Sequence, residues 1–288
     1  MQLDTVEQAL DFLKRAGSVS GSGSDCDLNV YHCALAFARL FHKDFDVKPY
    51  LEHEEQLIDA VKNRFEQALT EGAEDSLALR RICLVEAMHD EMNYIGDDDG
   101  YDQPESADMV SVVDRRQGLP VALGILYIQT ARELGWDLVG LNFPGHFLVR
   151  LSFEGQNMIL DPFREGEILN ASDMREILKV ISGQSAELSH NFYEPLNDHA
   201  VILRLQNNLK KRYIDAGHYN DALIVVEAMR MFAPTEYRLL FDAALLKTKT
   251  GHMKAALVDV QEYCEQAQTP REKQHAEQLL FEIQRAMN

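Results

Sequence analysis

The sequence predicts an α+β protein with a helical N-terminal region (1–95), a core of one buried helix plus a small antiparallel sheet (96–195), and C-terminal helical repeats (196–288). Three observations carry that prediction. Apolar residues recur at helical spacing through the first hundred positions; a long uncharged run then gives way to short β-rich runs; and an eight-residue pattern returns 34 positions later near the C-terminus.

Composition sets the outer bounds. A chain of 288 residues with 46% hydrophobic content can bury a sizeable core, in two domains more readily than one or three. The longest strongly apolar uncharged stretch, Gln117 to Ala131, has 15 residues, short of the roughly 20 that cross a bilayer, and reads as a buried helix. No basic segment followed by an apolar one opens the chain, which places it in the cytoplasm. Cys26, Cys33, Cys83 and Cys264 show no paired spacing and read as reduced. The net charge of −19 argues against nucleic-acid and anionic-membrane partners. It either keeps the protein in solution or recruits a basic partner.

Asp4 or Thr5 can cap a first helix carrying Val6, Ala9, Leu10 and Leu13 on one face, stopping at Gly17 before a flexible Gly-Ser segment that reaches Ser24. Helical periodicity resumes over Leu28–His42, Leu51–Leu69 and Leu77–Tyr94, followed by an acidic loop, Asp97 to Asp102. Pro120 suits the first turn of a helix, where its missing N–H would be unpaired anyway, and Gly135 suits the position just past a helix ending at Leu134. Val139–Phe143, Phe147–Phe153 and Met158–Leu160 read as strands, with turns at Pro144-Gly145 and Glu154-Gly155. Asn170 or Ser172 then caps a helix to Ile181.

The repeat follows. Ala216-Gly217-His218-Tyr219-Asn220-Asp221-Ala222-Leu223 returns as Thr250-Gly251-His252-Met253-Lys254-Ala255-Ala256-Leu257, an offset of 34 residues. That period belongs to the TPR helix–turn–helix unit, in which Gly makes the turn and a small Ala lets the paired helices approach. Leu209, Tyr213, Gly217, Ala222 and Pro234 stand where the unit wants a large apolar, an aromatic, the turn Gly, the small residue and the closing Pro. The second copy has Lys247 for the aromatic, and its proline comes two residues late, at Pro270. Two units and a final helix, Glu272–Met287, are fewer than a free-standing solenoid needs, so this segment is expected to pack against the core.

Candidate chemistry is concentrated in the middle: Arg115-Arg116-Gln117-Gly118-Leu119-Pro120, then Asn142-Phe143-Pro144-Gly145-His146-Phe147-Leu148-Val149-Arg150, then Leu160-Asp161-Pro162-Phe163. These segments resemble the transglutaminase-like superfamily, in which a nucleophilic Cys opens a buried helix, a His lies on the following strand and an Asp followed by Pro lies on the next. His146 and Asp161-Pro162 match the second and third positions. In such a triad the helix N-terminus lowers the thiol pKa, the imidazole pairs with the thiolate and the carboxylate orients the imidazole. The family's Gly-x-Cys falls on Gly118-Leu119-Pro120, so a proline stands at the nucleophile position and cysteine-dependent acyl transfer from it is impossible. More closely, the chain is similar to the SirB family of bacterial proteins, which join a transglutaminase-like core to TPR repeats. Arg-Arg-x-Gly-x-Pro, Pro-Gly-His-Phe-Leu-Val-Arg and Asp-Pro-Phe, with Gly166 after them, carry the match over roughly residues 85 to 285. The resemblance implies a regulatory or binding role.

Other readings stay open at this level. His146 and Asp161 are either a satisfied core pair or the remains of a ligand pocket. Arg115 and Arg116 suit an anion site or a salt bridge. Cys33 or Cys83, in apolar helical patterns, could rebuild a Cys–His pair from another helix. The acidic loop lacks the order of a calcium loop and reads as a solvated turn, and His89-Asp90-Glu91 is not a zinc motif. The function expected is a non-catalytic interaction module that presents a TPR-like groove to a protein or peptide, with Arg116, Asn142, His146 and Tyr213 as binding residues and no metal or cofactor. The alternatives are a cysteine hydrolase or acyltransferase using Cys33 or Cys83 with His146 and Asp161, and a small-ligand sensor.

Overall fold

A computed structural model describes residues 1, 3–18 and 28–287; most of the Gly-Ser segment and Cys26 lie outside the described residues. Of the two candidate caps, Thr5 opens α1 (Val6–Ser18): its hydroxyl accepts from the Gln8 amide at 3.1 Å and the Gln8 side chain returns to the Thr5 N–H. α2 (Val30–Ala38) is capped by Asn29 and is shorter than its periodicity suggested. The Arg39 guanidinium turns back onto the carbonyls of Leu3, Asp4 and His42, and the chain leaves the helix there. α3 (Lys48–Thr70) starts three residues before the predicted Leu51, with Pro49 in its first turn.

The predicted Leu77–Tyr94 helix divides. α4 (Leu77–Glu86) runs into a π-helical turn, Ala87–Glu91, and Asn93 ends it at φ 60°. The wider turn carries His89 inward, between the Tyr94 carbonyl and the Tyr127 hydroxyl. Next come β1 (Ile95–Gly96), α5 (Met109–Arg115) and β2 (Gln117–Gly118); the two short strands pair in parallel, an arrangement no periodicity announced.

α6 (Pro120–Glu133) is the predicted central helix, with Pro120 at its first position and Gly135 at φ +70° beyond its end. It is buried on every side from Pro120 to Ala131. β3 (Asp137–Gly140), β4 (Val149–Phe153), β5 (Gln156–Asp161) and β6 (Glu167–Leu169) form an antiparallel sheet in chain order. β3 lies two residues before the predicted run, β4 starts at Val149 rather than Phe147, and β6 was not foreseen. Both displaced starts follow from Phe143 and Phe147, whose rings look like strand residues but are buried in the connection between β3 and β4. α7 (Ala171–Ser182) follows, capped by Asn170 in a reciprocal box with Asp173.

The sheet separates two apolar layers. Leu138, Val149, Leu151 and Leu160 join the main core around α6, whereas Leu148 and Leu169 join Met174 and Leu178 of α7 on the other side. The remaining chain is paired helices: α8 (Asp198–Asp215), α9 (Tyr219–Phe232), α10 (Arg238–Lys249), α11 (Met253–Gln266) and α12 (Pro270–Met287). Both predicted turns close alike. The His218 amide donates to the Tyr213 carbonyl at 2.8 Å and the His252 amide to the Lys247 carbonyl at 2.8 Å, around Gly217 and Gly251 at φ +77° and +82°. Ala222 and Ala256 are fully buried, as the repeat requires. Packing against the core holds for α8, α9 and Leu239 of α10; α10 also packs on α9 through Ala243 and Leu246, and the rest of α10–α12 closes a cluster of its own around Val260, Leu279 and Ile283.

Candidate functional site

The start of α6, the β3–β4 connection and the end of β5 meet at His146. Its Nε2 lies 2.9 Å from Oδ2 of Asp161, which is fully buried while the imidazole is 14% exposed. The second Asp161 oxygen accepts from the Phe163 amide at 3.0 Å, and Phe163 sets its ring edge-on to the imidazole. An ionised carboxylate can only accept, so this contact takes its hydrogen from Nε2–H. Among the described residues Nδ1 has no hydrogen-bond partner.

Two glycines explain why His146 is held where it is. The Phe147 ring enters between α6 and β3 so closely that a Cβ on Gly124 would lie 2.4 Å from its Cε1 and one on Gly140 2.6 Å from its Cζ. Gly124 inside a helix and Gly140 inside a strand are therefore needed for the close approach and are not tolerated accidents. On the other side, Arg204 of α8 donates through Nη2 to the carbonyls of Phe143 and His146 and lies over the Phe147 ring at 5.4 Å. Sequence reasoning missed this arginine, because its partners are 58 and 61 positions away and no short motif links them.

Pro120 and His146 line one crevice, closed by Tyr101, whose carbonyl is gripped by Arg212. Its volume is about 20 Å³, room for about one water. A larger cleft of about 460 Å³ opens on the far side of the His–Asp pair, beneath α7, with Arg164, Glu167, Asp173 and Glu176 at its rim. The sulfurs lie elsewhere. Cys33 on α2 and Cys83 on α4 are buried, and among the described residues no cysteine is hydrogen-bonded to His146. Burial, reinforced by Asp198, pushes the Cys33 thiol up to about 12; burial and Glu86 raise that of Cys83, and burial and Glu277 that of Cys264.

The remaining predicted site residues are dispersed. Arg116 donates to the Val113 carbonyl, the Tyr94 hydroxyl and His53, and lines neither cavity that His146 lines. Arg115 pairs with Asp97 at 2.5 Å, the salt-bridge alternative for that residue. Asp97 corrects the solvated-turn reading. It is buried and accepts from Ser106, the Gly100 amide and Arg115; burial opposes its charge, but those hydrogen bonds bring its carboxyl below the usual range. Asn142 lines a groove along α8, and Tyr213 packs against Phe41 and His218 beside the first repeat turn.

A helix opened at Gly118-Leu119-Pro120, a strand-borne Asp161 and its His146 partner are the frame of a transglutaminase-like domain, and the paired helices behind it are tetratricopeptide repeats. The chain belongs to the transglutaminase-like superfamily, whose model matches residues 52–207; a tetratricopeptide repeat model matches residues 209–280. Among its relatives is a UPF0162 protein of Xylella fastidiosa (strain Temecula1), 29% identical over 243 residues, which are 83% of this chain and 84% of that protein. SirB1 of Salmonella typhimurium is 25% identical over 230 residues, covering 80% of this chain and 83% of SirB1. Mouse F-box only protein 21 is 28% identical over 206 residues, 64% of this chain and 31% of that protein. No solved structure matches the chain. No helix among the described residues is long and apolar enough to cross a membrane.

Proposed function

We propose that the chain is a non-catalytic, regulatory protein-interaction module: a transglutaminase-like pseudoenzyme core that buttresses a repeat groove and presents it to a protein or peptide. The observation that carries this reading is Pro120, which stands at the first position of α6, in one crevice with His146, where a triad would need a thiol. The thiols that are described favour the same view. All three are raised, and a nucleophilic cysteine needs the opposite shift. His146 and Asp161 then serve as vestigial groups that hold the β3–β4 connection in place. The cytoplasm, where thiols stay reduced, is the compartment this reading assumes.

The test is cysteine reactivity together with turnover. Purified wild-type protein should label slowly with iodoacetamide, at rates unchanged in His146→Ala, and should not join a glutamine-bearing peptide to an amine above the rate in buffer. Fast labelling of one cysteine that disappears in His146→Ala, or measurable acyl transfer, would overturn the reading.

A further inference from the structure

The groove along α8 has a charge opposite to that of the chain as a whole. It is bounded by α8, the start of α10 and the β3–β4 connection, and its volume of about 730 Å³ is within the range of ligand-holding clefts. Three cations line it, Arg204, Lys211 and Arg238, and no carboxylate does, in a protein of net charge −19. Asn142, Asn207 and Asn208 add amides that can both donate to and accept from an extended backbone. Leu203 supplies an apolar floor.

The cations are available in different degrees. Lys211 (69% exposed) makes an exposed pair of little energy with Asp215, and Arg238 (67% exposed) reaches the largely covered Glu272 only at 3.4 Å, so an incoming carboxylate can replace either contact. Asp242, on neighbouring α10, is already neutralised by Lys210 at 2.6 Å. Arg204 is the anchor. It is half-buried, and among the described residues it has no carboxylate partner: Nη2 holds two backbone carbonyls, while Nη1 and Nε have no acceptor. Burial lowers its pKa, the mark of a desolvated cation without a counter-charge. A carboxylate seated against it would compensate a charge that the fold leaves uncompensated.

We propose that this groove docks an acidic, extended segment of a partner protein, with one carboxylate on Arg204 and others on Lys211 and Arg238. The inference rests on the reading of the chain as an interaction module and names the class of partner. A peptide fits better than a polyphosphate, because the asparagine amides can donate to and accept from a peptide backbone and Leu203 offers an apolar contact. Asn142 and Leu196 come from outside the helix pairs, so the groove exists only where the core and the first repeat meet.

The experiment uses the full chain and a fluorescent twelve-residue peptide alternating Glu and Asp with Leu, read by polarisation. The controls are the same peptide with every acid replaced by its amide, and a single-stranded RNA of equal charge. The acidic peptide should bind saturably, about tenfold or more tighter than the amide peptide, and weaken as salt is raised. Lys211→Glu with Arg238→Glu, both on exposed side chains, should lower affinity by about tenfold or more with the circular dichroism unchanged, and Arg204→Gln should do the same. The inference fails if the amide peptide or the RNA binds as well as the acidic peptide, if the acidic peptide does not bind, or if the double charge reversal leaves its affinity intact. None of those results touches the pseudoenzyme reading, which falls on cysteine reactivity measured without any peptide.

Discussion

The two repeats share a turn but not a setting. In the first, α8 and α9 give Val201, Leu205, Leu209, Val225 and Phe232 to the main core, and Phe232 meets Phe37 of α2 edge-on at 5.8 Å. α1 lies so close to the end of α9 that a Cβ on Gly17 would be 1.9 Å from the Phe232 carbonyl oxygen. The second repeat has no such cover. Leu239 alone reaches the main core and α10 shares an apolar face with α9 through Ala243 and Leu246; otherwise its helices close on α12, and Val258 and Phe281 are left 61% and 65% exposed. One 34-residue pattern thus encodes both a piece of the core and an appended hairpin, and residues two hundred positions upstream decide which.

The largest expected effect follows from that contrast. Phe232→Ala should cost about 4 kcal/mol, whereas Ile283→Ala, in the terminal cap, should cost about 2 kcal/mol and act locally. The protein's one tryptophan, Trp136, is buried against Phe65 and reports the core, while far-ultraviolet circular dichroism reports all helices. Phe232→Ala should shift both denaturation curves. Ile283→Ala should shift the dichroism curve and leave the Trp136 midpoint in place; equal shifts in both signals would abolish the distinction.

Acid should separate the regions next. Burial, and then the Arg116 guanidinium, depress His53 from 6.5 to about 4, and His89 is lowered by burial in the same direction. The unfolded chain therefore takes up protons below pH 6.5 that the folded core refuses, so stability present at neutral pH is lost as pH falls from 6.5 to 4. With solvent access discounted, His53 accounts for about 2 kcal/mol of that loss. His42, raised by its hydrogen bond with Asp108, works in the opposite sense and offsets part of it. In α12, which caps the second repeat, Glu272 is held down at about 2 by the Thr269 amide, so its contribution persists until pH drops below 4.5. Lowering the pH from 7 to 5 should then weaken the Trp136 transition before the repeat transition, and His53→Gln should remove much of that sensitivity. A parallel decline of the two would contradict the assignment.

The smallest effect concerns the brace itself. Thr5→Ala removes the α1 cap and should cost about 1 kcal/mol, with hydrogen exchange quickened in α1 and α9 and unchanged in α11.

What could be read from the sequence was set by neighbours in the chain. Pro120 at a helix start, Gly135 past its end, the Asn170 cap and the paired turns at Gly217 and Gly251 each depend on a few adjacent residues, and each was legible. The shifted strands were not. Phe143 and Phe147 have strand-like character but serve the connection, where Gly124 and Gly140, on other elements, make room for a ring. The π-helical turn that aims His89, and the pairing of β1 with β2, are set by partners more than twenty positions away. At the site, His146 and Asp161 were visible as a motif and lie 2.9 Å apart, whereas Arg204, which fixes the His146 carbonyl, left no local trace. Arg116 shows the converse. It sits in a conspicuous motif but belongs to the buried His53–Tyr94 network.

The central claim is that α6 presents its first residue to the His146–Asp161 pair and that only the sulfur is missing. Pro120→Cys tests it most directly, since the position lies in the first turn and accepts a residue with an N–H. At pH 6.5 the introduced thiol should react with iodoacetamide at least about tenfold faster than Cys264, and His146→Ala in the same protein should abolish the difference. An introduced thiol no more reactive than Cys264, or one indifferent to His146, would contradict the account.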